Sequence, residues 1–202
     1  MNERRQSPEP SLCAGILTGG KGRRMGGSDK GLIDFEGRPL VEYLIERLSP
    51  QSDQVLINAN RNLDRYARYG FPVVPDRLGE YQGPLAGFAA LLEACPAPWL
   101  VVAPCDSPLI PDDYVARLHA ARRRHPSALV VAHDGERIQP VHALIRQDLL
   151  PDLLDFLEQG ERKIDRWYDR VGYSTADFSD RPQTFLNLNR PEDLAALQEA
   201  RK

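Results

Sequence analysis

Short apolar runs alternate with helical periodicity along most of this chain. The run from Cys13 to Leu17 predicts a buried strand, and the continuous run Trp99 to Ala103 predicts a central strand covered on both faces. Leu40, Leu44 and Leu48 recur at the spacing of one helix face. The same periodicities predict further strands at Gln54–Ala59, Phe71–Pro75, Ala128–Ala132, Val141–Ile145 and Thr184–Leu188, and helices at Pro39–Leu48, Leu63–Tyr69, Leu85–Ala94, Pro111–His125, Asp148–Gln159, Glu161–Arg170 and Pro191–Ala200.

This alternation predicts an α/β fold, because successive βαβ units bring parallel strands into one sheet. We expect a single three-layer α/β/α domain over residues 12–202, with a mostly parallel, Rossmann-like sheet. Residues 1–11 are polar, contain proline and have no apolar segment, so we expect a disordered N-terminal extension. No apolar stretch approaches the roughly 20 residues that a membrane-spanning helix requires.

Composition narrows the classes of function. A formal net charge of −3 over 202 residues argues against general binding to nucleic acids or membrane surfaces, which favours basic proteins. The three cysteines are an odd number and form no CxxC pair, so neither a disulfide framework nor a zinc site is indicated. A reducing cytoplasm is the simplest compartment.

The segment from Thr18 to Gly31 has the composition of a polyphosphate-binding loop. Six of the 15 glycines lie between Gly19 and Gly31, with four cationic side chains and one acidic one. Glycines allow the backbone to approach a ligand closely, and lysine and arginine supply charge for phosphates. The loop follows the first strand, where open α/β sheets bind ligands. The alternative is a flexible cationic surface loop.

Two common phosphate motifs do not fit this loop. Ser28 stands where a Walker A loop requires lysine, and Met25 stands where a dinucleotide-binding fingerprint requires glycine. An ordinary P-loop and a Rossmann cofactor site are therefore both disfavoured.

Asp106 follows the predicted central strand in Pro104-Cys105-Asp106, at the same edge of the sheet as the loop. Mg²⁺ typically binds one or two carboxylates together with phosphate oxygens and water, so Asp106 with a nucleoside triphosphate would satisfy it. The alternative is a turn or helix cap before Pro111.

Other polar residues end strands at this predicted edge. Asn58 and Asp76 suit a base or a ribose, although each fits turn chemistry equally well. Asn187 and Asn189, from the predicted late strand, either add polar contacts or cap the last helix. His142 lies in an apolar strand and is more often a satisfied core histidine than a ligand. No Ser/His/Asp or Cys/His set is apparent.

Seven short motifs occur in one order along the chain: Leu17-Thr18-Gly19-Gly20, Arg24-Met25-Gly26-Gly27-Ser28-Asp29-Lys30-Gly31, Asn58-Ala59-Asn60-Arg61, Gly83-Pro84-Leu85-Ala86-Gly87, Pro104-Cys105-Asp106, Asp134-Gly135-Glu136-Arg137 and Asn187-Leu188-Asn189. With them the chain resembles the molybdenum cofactor guanylyltransferases, called MobA proteins, from about Ala14 to Leu197. It departs from that family at Thr18, where alanine is usual.

The resemblance implies a nucleotidyltransferase that moves GMP from GTP to molybdenum-molybdopterin and releases pyrophosphate, with Mg²⁺ as cofactor. It implies that Asp106 binds the metal ion. The residues it implies for the nucleotide are Leu17, Thr18, Gly19, Gly20, Lys30, Asn58, Asp76, Gly87 and Asp106. We assign Lys30, Asp106 and Arg24 to catalysis, and Gln139, Pro140, Asn187 and Asn189 to the acceptor.

For this reaction we expect in-line attack by the terminal phosphate of molybdopterin on the α-phosphorus of GTP. That phosphate is mostly a dianion at pH 7, so no side chain need deprotonate it. Three alternatives remain open: a CTP-dependent molybdopterin cytidylyltransferase, a nucleotidyltransferase for another phosphorylated acceptor, and a non-catalytic GTP or cofactor carrier. We expect a monomer, with cofactor insertion proteins and target molybdoenzymes as partners.

Overall fold

The computed structural model describes residues 11–19, 29–77, 83–187 and Asp193. The strands are β1 (Leu12–Leu17), β2 (Asp34–Phe35), β3 (Arg38–Pro39), β4 (Gln54–Asn58), β5 (Val73–Val74), β6 (Trp99–Pro104), β7 (Leu129–His133), β8 (Ile138–Arg146) and β9 (Ser174–Asp177). The α-helices are α1 (Leu40–Leu48), α2 (Leu63–Ala67), α3 (Pro84–Ala94), α4 (Tyr114–Arg124), α5 (Leu150–Glu158) and α6 (Ile164–Val171).

Seven strands form one sheet in the order β5-β4-β1-β6-β8-β7-β9, and β2 pairs with β3 in a separate hairpin. In the large sheet β8 runs antiparallel to β6 and β7, while the other pairings are parallel. The predicted mostly parallel sheet is therefore confirmed. The carboxyl ends of β1, β4, β5 and β6 share one edge with the amino end of β8.

Helices cover both faces of the sheet, because its central strands are apolar on both sides. Ala14 and Ile16 of β1 pack in one core with α1 and α4, whereas Cys13 and Leu17 face a second core with α3, α5 and α6. All six residues of β1 are buried. The predicted three-layer α/β/α architecture is confirmed.

The predicted late strand is wrong. Residues Pro182–Phe185 form a 3-10 turn that begins with a proline, and Leu188 lies outside the described residues. The last strand of the sheet is instead Ser174–Asp177, which pairs with β7 at the edge. This strand is mostly polar and short, so it lacks the apolar run from which strands were predicted.

Several predicted boundaries also shift. The helix predicted from Pro111 begins at Tyr114, and the strand predicted over Phe71–Pro75 has only two paired residues. The predicted extension 1–11 and the predicted helix 191–200 lie outside the described residues, apart from Ser11 and Asp193. Among the helices that the structure describes, none is long and apolar enough to cross a membrane.

The pairing of β7 with β8 is interrupted at the edge where the parallel strands end. Val131 pairs with Ala143, but the next residue, Ala132, pairs with Gln139. Three residues of β8 therefore bulge from the ladder, and the proline among them has no N–H to donate to it. The pairing of β8 with β6 also ends at Ala143, so the two strands separate here.

Candidate nucleotide site

A cleft of about 460 Å³ runs along this edge of the sheet. It follows the ends of β4, β1 and β6 in turn and reaches the start of β8. The first turn of α3 lies in its wall, where the amino end of a helix favours anions. The residues that line it are Leu17, Gly19, Lys30, Asn58, Asn60, Asp76, Gly83, Pro84, Gly87, Pro104, Cys105, Asp106, Gln139, Pro140, Val141, His142 and Asn187.

The central charges of the cleft belong to Lys30 and Asp106. Lys30 Nζ lies 2.9 Å from Asp106 Oδ2, and the two side chains are 21% and 15% exposed. Lys30 lies at the carboxyl end of the glycine-rich loop, where a 3-10 turn begins, whereas Asp106 lies just beyond the end of β6. The pair therefore joins the glycine-rich loop to the Pro104-Cys105-Asp106 motif. The sequence predicts only that these two segments lie at the same edge of the sheet.

The position of Lys30 depends on its neighbour Asp29. The Asp29 carboxylate accepts hydrogen bonds from the Tyr66 hydroxyl at 2.5 Å and from the Asn62 amide at 2.9 Å. Gly31 lies directly against this anchor, because a Cβ atom there would be 2.5 Å from the Tyr66 hydroxyl. Helix α2 thus holds the carboxyl end of the glycine-rich loop, a role that no pattern in the sequence indicates.

A carboxylate held between two amides forms one end of the cleft. Asp76 Oδ1 accepts from Asn58 Nδ2 and Asp76 Oδ2 accepts from Asn60 Nδ2, each at 2.8 Å. The Asn60 Oδ1 atom in turn accepts from the Asp76 backbone N–H at 2.7 Å. Gly87 of α3 packs against this cluster, since a Cβ atom would lie 2.7 Å from Asn58 Oδ1.

Thr18 turns its side chain into the fold. Its hydroxyl donates to the Asn58 carbonyl at 2.8 Å, and its backbone N–H donates to the same carbonyl at 3.0 Å. The residue is 3% exposed and does not line the cleft. The departure from the family's alanine is therefore accommodated by a hydrogen bond within the protein. A nucleotide contact from Thr18 would have to come from its carbonyl.

The other end of the cleft is built around the start of β8. The Gln139 side chain donates to Asp134, and the Pro140 carbonyl accepts from the Tyr168 hydroxyl. The backbone N–H groups of Glu136 and Arg137 also donate to Asp134, and the Arg137 N–H is the main reason that the pKa of this carboxyl is low. Hydrogen bonds to the turn at Asp134 on one side and to Tyr168 of α6 on the other thus hold the bulge in place.

Asn187 reaches the cleft from a turn instead of from the predicted strand. Its Oδ1 accepts a hydrogen bond from the Ser107 hydroxyl at 2.7 Å. Ser107 is the residue after Asp106 and is fully buried. This contact brings Asn187 beside the carboxylate that carries the proposed metal.

His142 was expected to be a satisfied core histidine, and only half of that expectation holds. It is 2% exposed, but its Nε2 atom is buried and has no hydrogen-bond partner among the residues that the structure describes. It also lines the cleft. Burial lowers the pKa of this imidazole to about 3, so the ring is neutral at physiological pH.

The structure thus brings most of the predicted site residues into one cleft, with the side chain of Thr18 outside it. Sequence reasoning did not assign a role to Asn60 or Tyr66, and it set His142 aside. Asn60 belongs to the same motif as Asn58, Asn58-Ala59-Asn60-Arg61. Two amides at this spacing could have suggested that both contact the same group. Gly20, Arg24 and Asn189 lie outside the described residues.

Carboxylates suited to a metal ion are sparse in this cleft. Over the part of the chain that the structure describes, no group of three His, Cys, Asp or Glu side chains could hold one. Asp106 offers a hard oxygen ligand beside a lysine that suits phosphate. This donor set fits Mg²⁺ if most of its other ligands are phosphate oxygens and water.

Comparison with known proteins shows close similarity to one family. Residues 14–171 match the MobA-like NTP transferase domain. The chain is 49% identical over 185 residues to a molybdenum cofactor guanylyltransferase of Shewanella halifaxensis, covering 92% of each chain. It is 48% identical over 198 residues to that of Polynucleobacter asymbioticus, covering 96% of this chain and 98% of the relative.

Solved structures share the fold at lower identity. The molybdopterin-guanine dinucleotide biosynthesis protein A of Archaeoglobus fulgidus has a TM-score of 0.78 at 23% identity, covering 93% of this chain and 97% of that chain. The 2-C-methyl-D-erythritol 4-phosphate cytidylyltransferase of Thermus thermophilus has a TM-score of 0.66 at 18% identity, covering 92% and 98%. These likenesses support the fold alone.

Proposed function

Because this chain belongs to the MobA-like NTP transferases, and among them to the molybdenum cofactor guanylyltransferases, we propose that it transfers GMP from GTP to molybdenum-bound molybdopterin. The observation that carries the proposal is the position of the Lys30–Asp106 pair. It lies between the Asn58–Asp76 cluster and the start of β8, within one continuous cleft. A charged centre between two differently lined ends suits a reaction that joins two substrates through phosphate.

In this reaction a terminal phosphate oxygen of molybdopterin attacks the α-phosphorus of GTP. The new P–O bond forms as the bond between the α-phosphorus and the bridging oxygen breaks, and pyrophosphate leaves with that electron pair. The attacking phosphate monoester is already largely a dianion at pH 7. The protein therefore needs no general base, and its work is to position anions and stabilise their charge.

Lys30 is the described cation best placed for this work. Its ammonium lies in the middle of the cleft, where it would contact nucleotide phosphate. Lys30 and Asp106 would move apart to admit the ligand. Asp106 would hold Mg²⁺ together with phosphate oxygens. When bound, the ion would neutralise negative charge on the phosphates.

The nucleoside would occupy the end of the cleft formed by β4 and β5. The Asp76 carboxylate is held in a fixed orientation by two amides, so its remaining lone pairs can accept hydrogen bonds from a ligand. Guanine offers N–H donors on its Watson–Crick edge, and cytosine offers fewer. A fixed acceptor in this position favours GTP.

The acceptor would occupy the opposite end, against Gln139, Pro140 and Asn187. These residues border the bulged start of β8 and the turn after Asp106. The phosphate of molybdopterin would then point towards the central charges.

We place the reaction in a reducing compartment such as the cytoplasm, a proposal supported by three cysteines that are all free thiols.

The test is a transfer assay with GTP labelled at the α-phosphate, Mg²⁺ and molybdenum-loaded molybdopterin. We expect label in molybdopterin guanine dinucleotide and release of one pyrophosphate for each transfer. Parallel reactions contain labelled CTP, or replace molybdopterin with methylerythritol phosphate or a sugar phosphate. Efficient transfer in one of these instead would change the substrate assignment. Nucleotide binding without pyrophosphate release from any acceptor would indicate a carrier.

A further inference from the structure

The His142 ring is fixed in an aromatic environment at the acceptor end of the cleft. Its centroid lies 4.9 Å from that of Phe185 and 6.3 Å from that of Tyr114, edge-on in both cases. Phe178 packs against both of these rings. An imidazole held on these sides has little freedom to reorient.

A phenylalanine would satisfy this apolar environment better than a histidine does. A buried polar atom without a hydrogen bond costs about 1–3 kcal/mol. The neighbouring Tyr114 avoids that cost, because its hydroxyl donates to the Val102 carbonyl at 3.1 Å. His142 Nε2 has no such bond to any of the described residues. Buried polar groups of this kind call for an explanation in terms of function or an unseen partner.

The backbone around His142 points to a ligand as that partner. His142 is one of the three residues that bulge from the β7–β8 pairing, at the place where β8 also leaves β6. Bulges occur beside active sites, where they redirect side chains. The same irregular segment supplies Pro140 and Val141 to the wall of the cleft.

We propose that His142 determines specificity for the acceptor through a hydrogen bond between its Nε2 atom and the heterocyclic ring of the acceptor, formed as the wall of the cleft moves to admit that ring. This inference rests on the proposed function. Nε2 can make one hydrogen bond, as donor or as acceptor according to the tautomer, and the edge of an aminopyrimidinone such as pterin offers partners of both kinds. The phosphates are left to Lys30, because an uncharged ring surrounded by aromatic residues is a poor partner for an anion.

The probe for this inference is 6-hydroxymethylpterin, which carries the heterocycle without a phosphate. Its binding is followed by fluorescence in the presence of Mg²⁺ and GTP. We expect His142→Phe to weaken pterin binding about tenfold or more, the effect of losing about 1.4 kcal/mol. We expect His142→Gln to bind near the wild-type affinity, since an amide also offers a donor and an acceptor. GTP affinity should stay unchanged in both.

The matched control is His119→Phe. His119 is also a buried histidine, but it packs against Trp99 away from the cleft. The same substitution there should leave pterin binding unchanged. Equal pterin affinity in the wild type and His142→Phe would overturn the inference, and so would an equal loss of GTP affinity.

A second measurement needs no variant. In protein labelled with ¹⁵N-histidine, 6-hydroxymethylpterin should shift a ring nitrogen resonance of His142, whereas inorganic phosphate should not. No shift with pterin, or failure of the wild type to bind pterin, would also overturn the inference. The proposed function is tested separately, because GMP transfer to molybdopterin can occur whether or not His142 contacts the ring.

Discussion

The ammonium of Lys30 lies 2.9 Å from the carboxylate of Asp106, although 76 residues separate them in the sequence. The bond joins the end of the glycine-rich loop to the end of the central strand β6. Nucleotide phosphate and metal ion are natural partners for these two groups, so a bound substrate would replace their mutual contact with its own. If the proposed function holds, the ion pair would keep both charges compensated until the nucleotide binds.

Removing either member of this pair should impair catalysis more than folding. We expect Lys30→Ala and Asp106→Ala each to reduce GMP transfer by about 10²–10³-fold, by analogy with the loss of one oxyanion-hole donor. The charge that remains borders the open cleft, where water can solvate it, so the cost to stability should be smaller than the loss of transfer. Steady-state transfer assays and thermal unfolding would measure the two effects.

The control for this prediction is Arg77→Ala, which breaks the exposed Arg77–Glu93 pair. It should leave transfer unchanged. Near-native turnover by Lys30→Ala or Asp106→Ala, with Mg²⁺ supplied, would remove that residue from the mechanism.

Tyr66→Phe should weaken GTP binding through the loop. The substitution removes the hydrogen bond to Asp29 while keeping the buried ring. A hydrogen bond to a charged group contributes about 1.5–3 kcal/mol, and part of this loss should appear as a raised KM for GTP. Tyr114→Phe removes a buried hydroxyl whose partner is the Val102 carbonyl, away from the loop. If both variants lose stability but neither changes KM, Asp29 does not position Lys30.

Gly87→Ala should destabilise the protein, although alanine is the better helix former. Helix propensity alone would favour alanine by about 1 kcal/mol. The added Cβ atom, however, would lie 2.5 Å from Leu17 Cδ2 and 2.7 Å from Asn58 Oδ1. Asn58 must then move, and it holds Asp76, so GTP affinity should fall as well. Calorimetric titration with GTP and chemical unfolding would measure both quantities.

Gly15→Ala provides the comparison. Its Cβ atom would lie 2.6 Å from Leu91, in the core beneath the sheet and outside the residues that line the cleft. This variant should lose stability while GTP affinity is retained. Unchanged GTP affinity in Gly87→Ala would show that the Asn58–Asp76 cluster tolerates the displacement.

Stability should depend on pH through His142. Burial lowers its pKa from 6.5 to about 3 in the folded protein. As pH falls below about 6.5 the unfolded chain takes up a proton that the folded protein does not, so the free energy of unfolding decreases. His142→Phe removes this difference in proton uptake, so the stability of the variant should fall less steeply with decreasing pH. The slopes of the two proteins should differ by up to about 1.4 kcal/mol per pH unit.

Urea unfolding of both proteins at several pH values between 7 and 4.5 would test this. His119, whose pKa is lowered to about 4 by burial and by Arg122, contributes with the same sign and is present in both proteins. Parallel pH profiles for wild type and His142→Phe would show that His142 becomes protonated without unfolding.

The architecture, and the edge of the sheet at which the site lies, can both be predicted from the amino-acid sequence. Apolar runs at Cys13–Leu17 and Trp99–Ala103 were sufficient to predict central strands, because only strands covered on both faces are apolar throughout. Parallel strands end at a common edge, so residues just after them, such as Asn58 and Asp106, could be grouped without coordinates. Strand β9 could not be predicted in this way, because an edge strand needs no apolar run.

Which side chains contact one another depends on the folded structure and could not be predicted. Strand register and the packing of helices over loops determine three contacts of the site. These are the Lys30–Asp106 bond, the anchoring of Asp29 by Tyr66 and the orientation of Asp76 by two amides. The position of His142 depends on a bulge that changes which residues face the cleft. Periodicity records whether a position is buried, but a polar atom's partners come from distant parts of the chain, and these are fixed when the layers pack together.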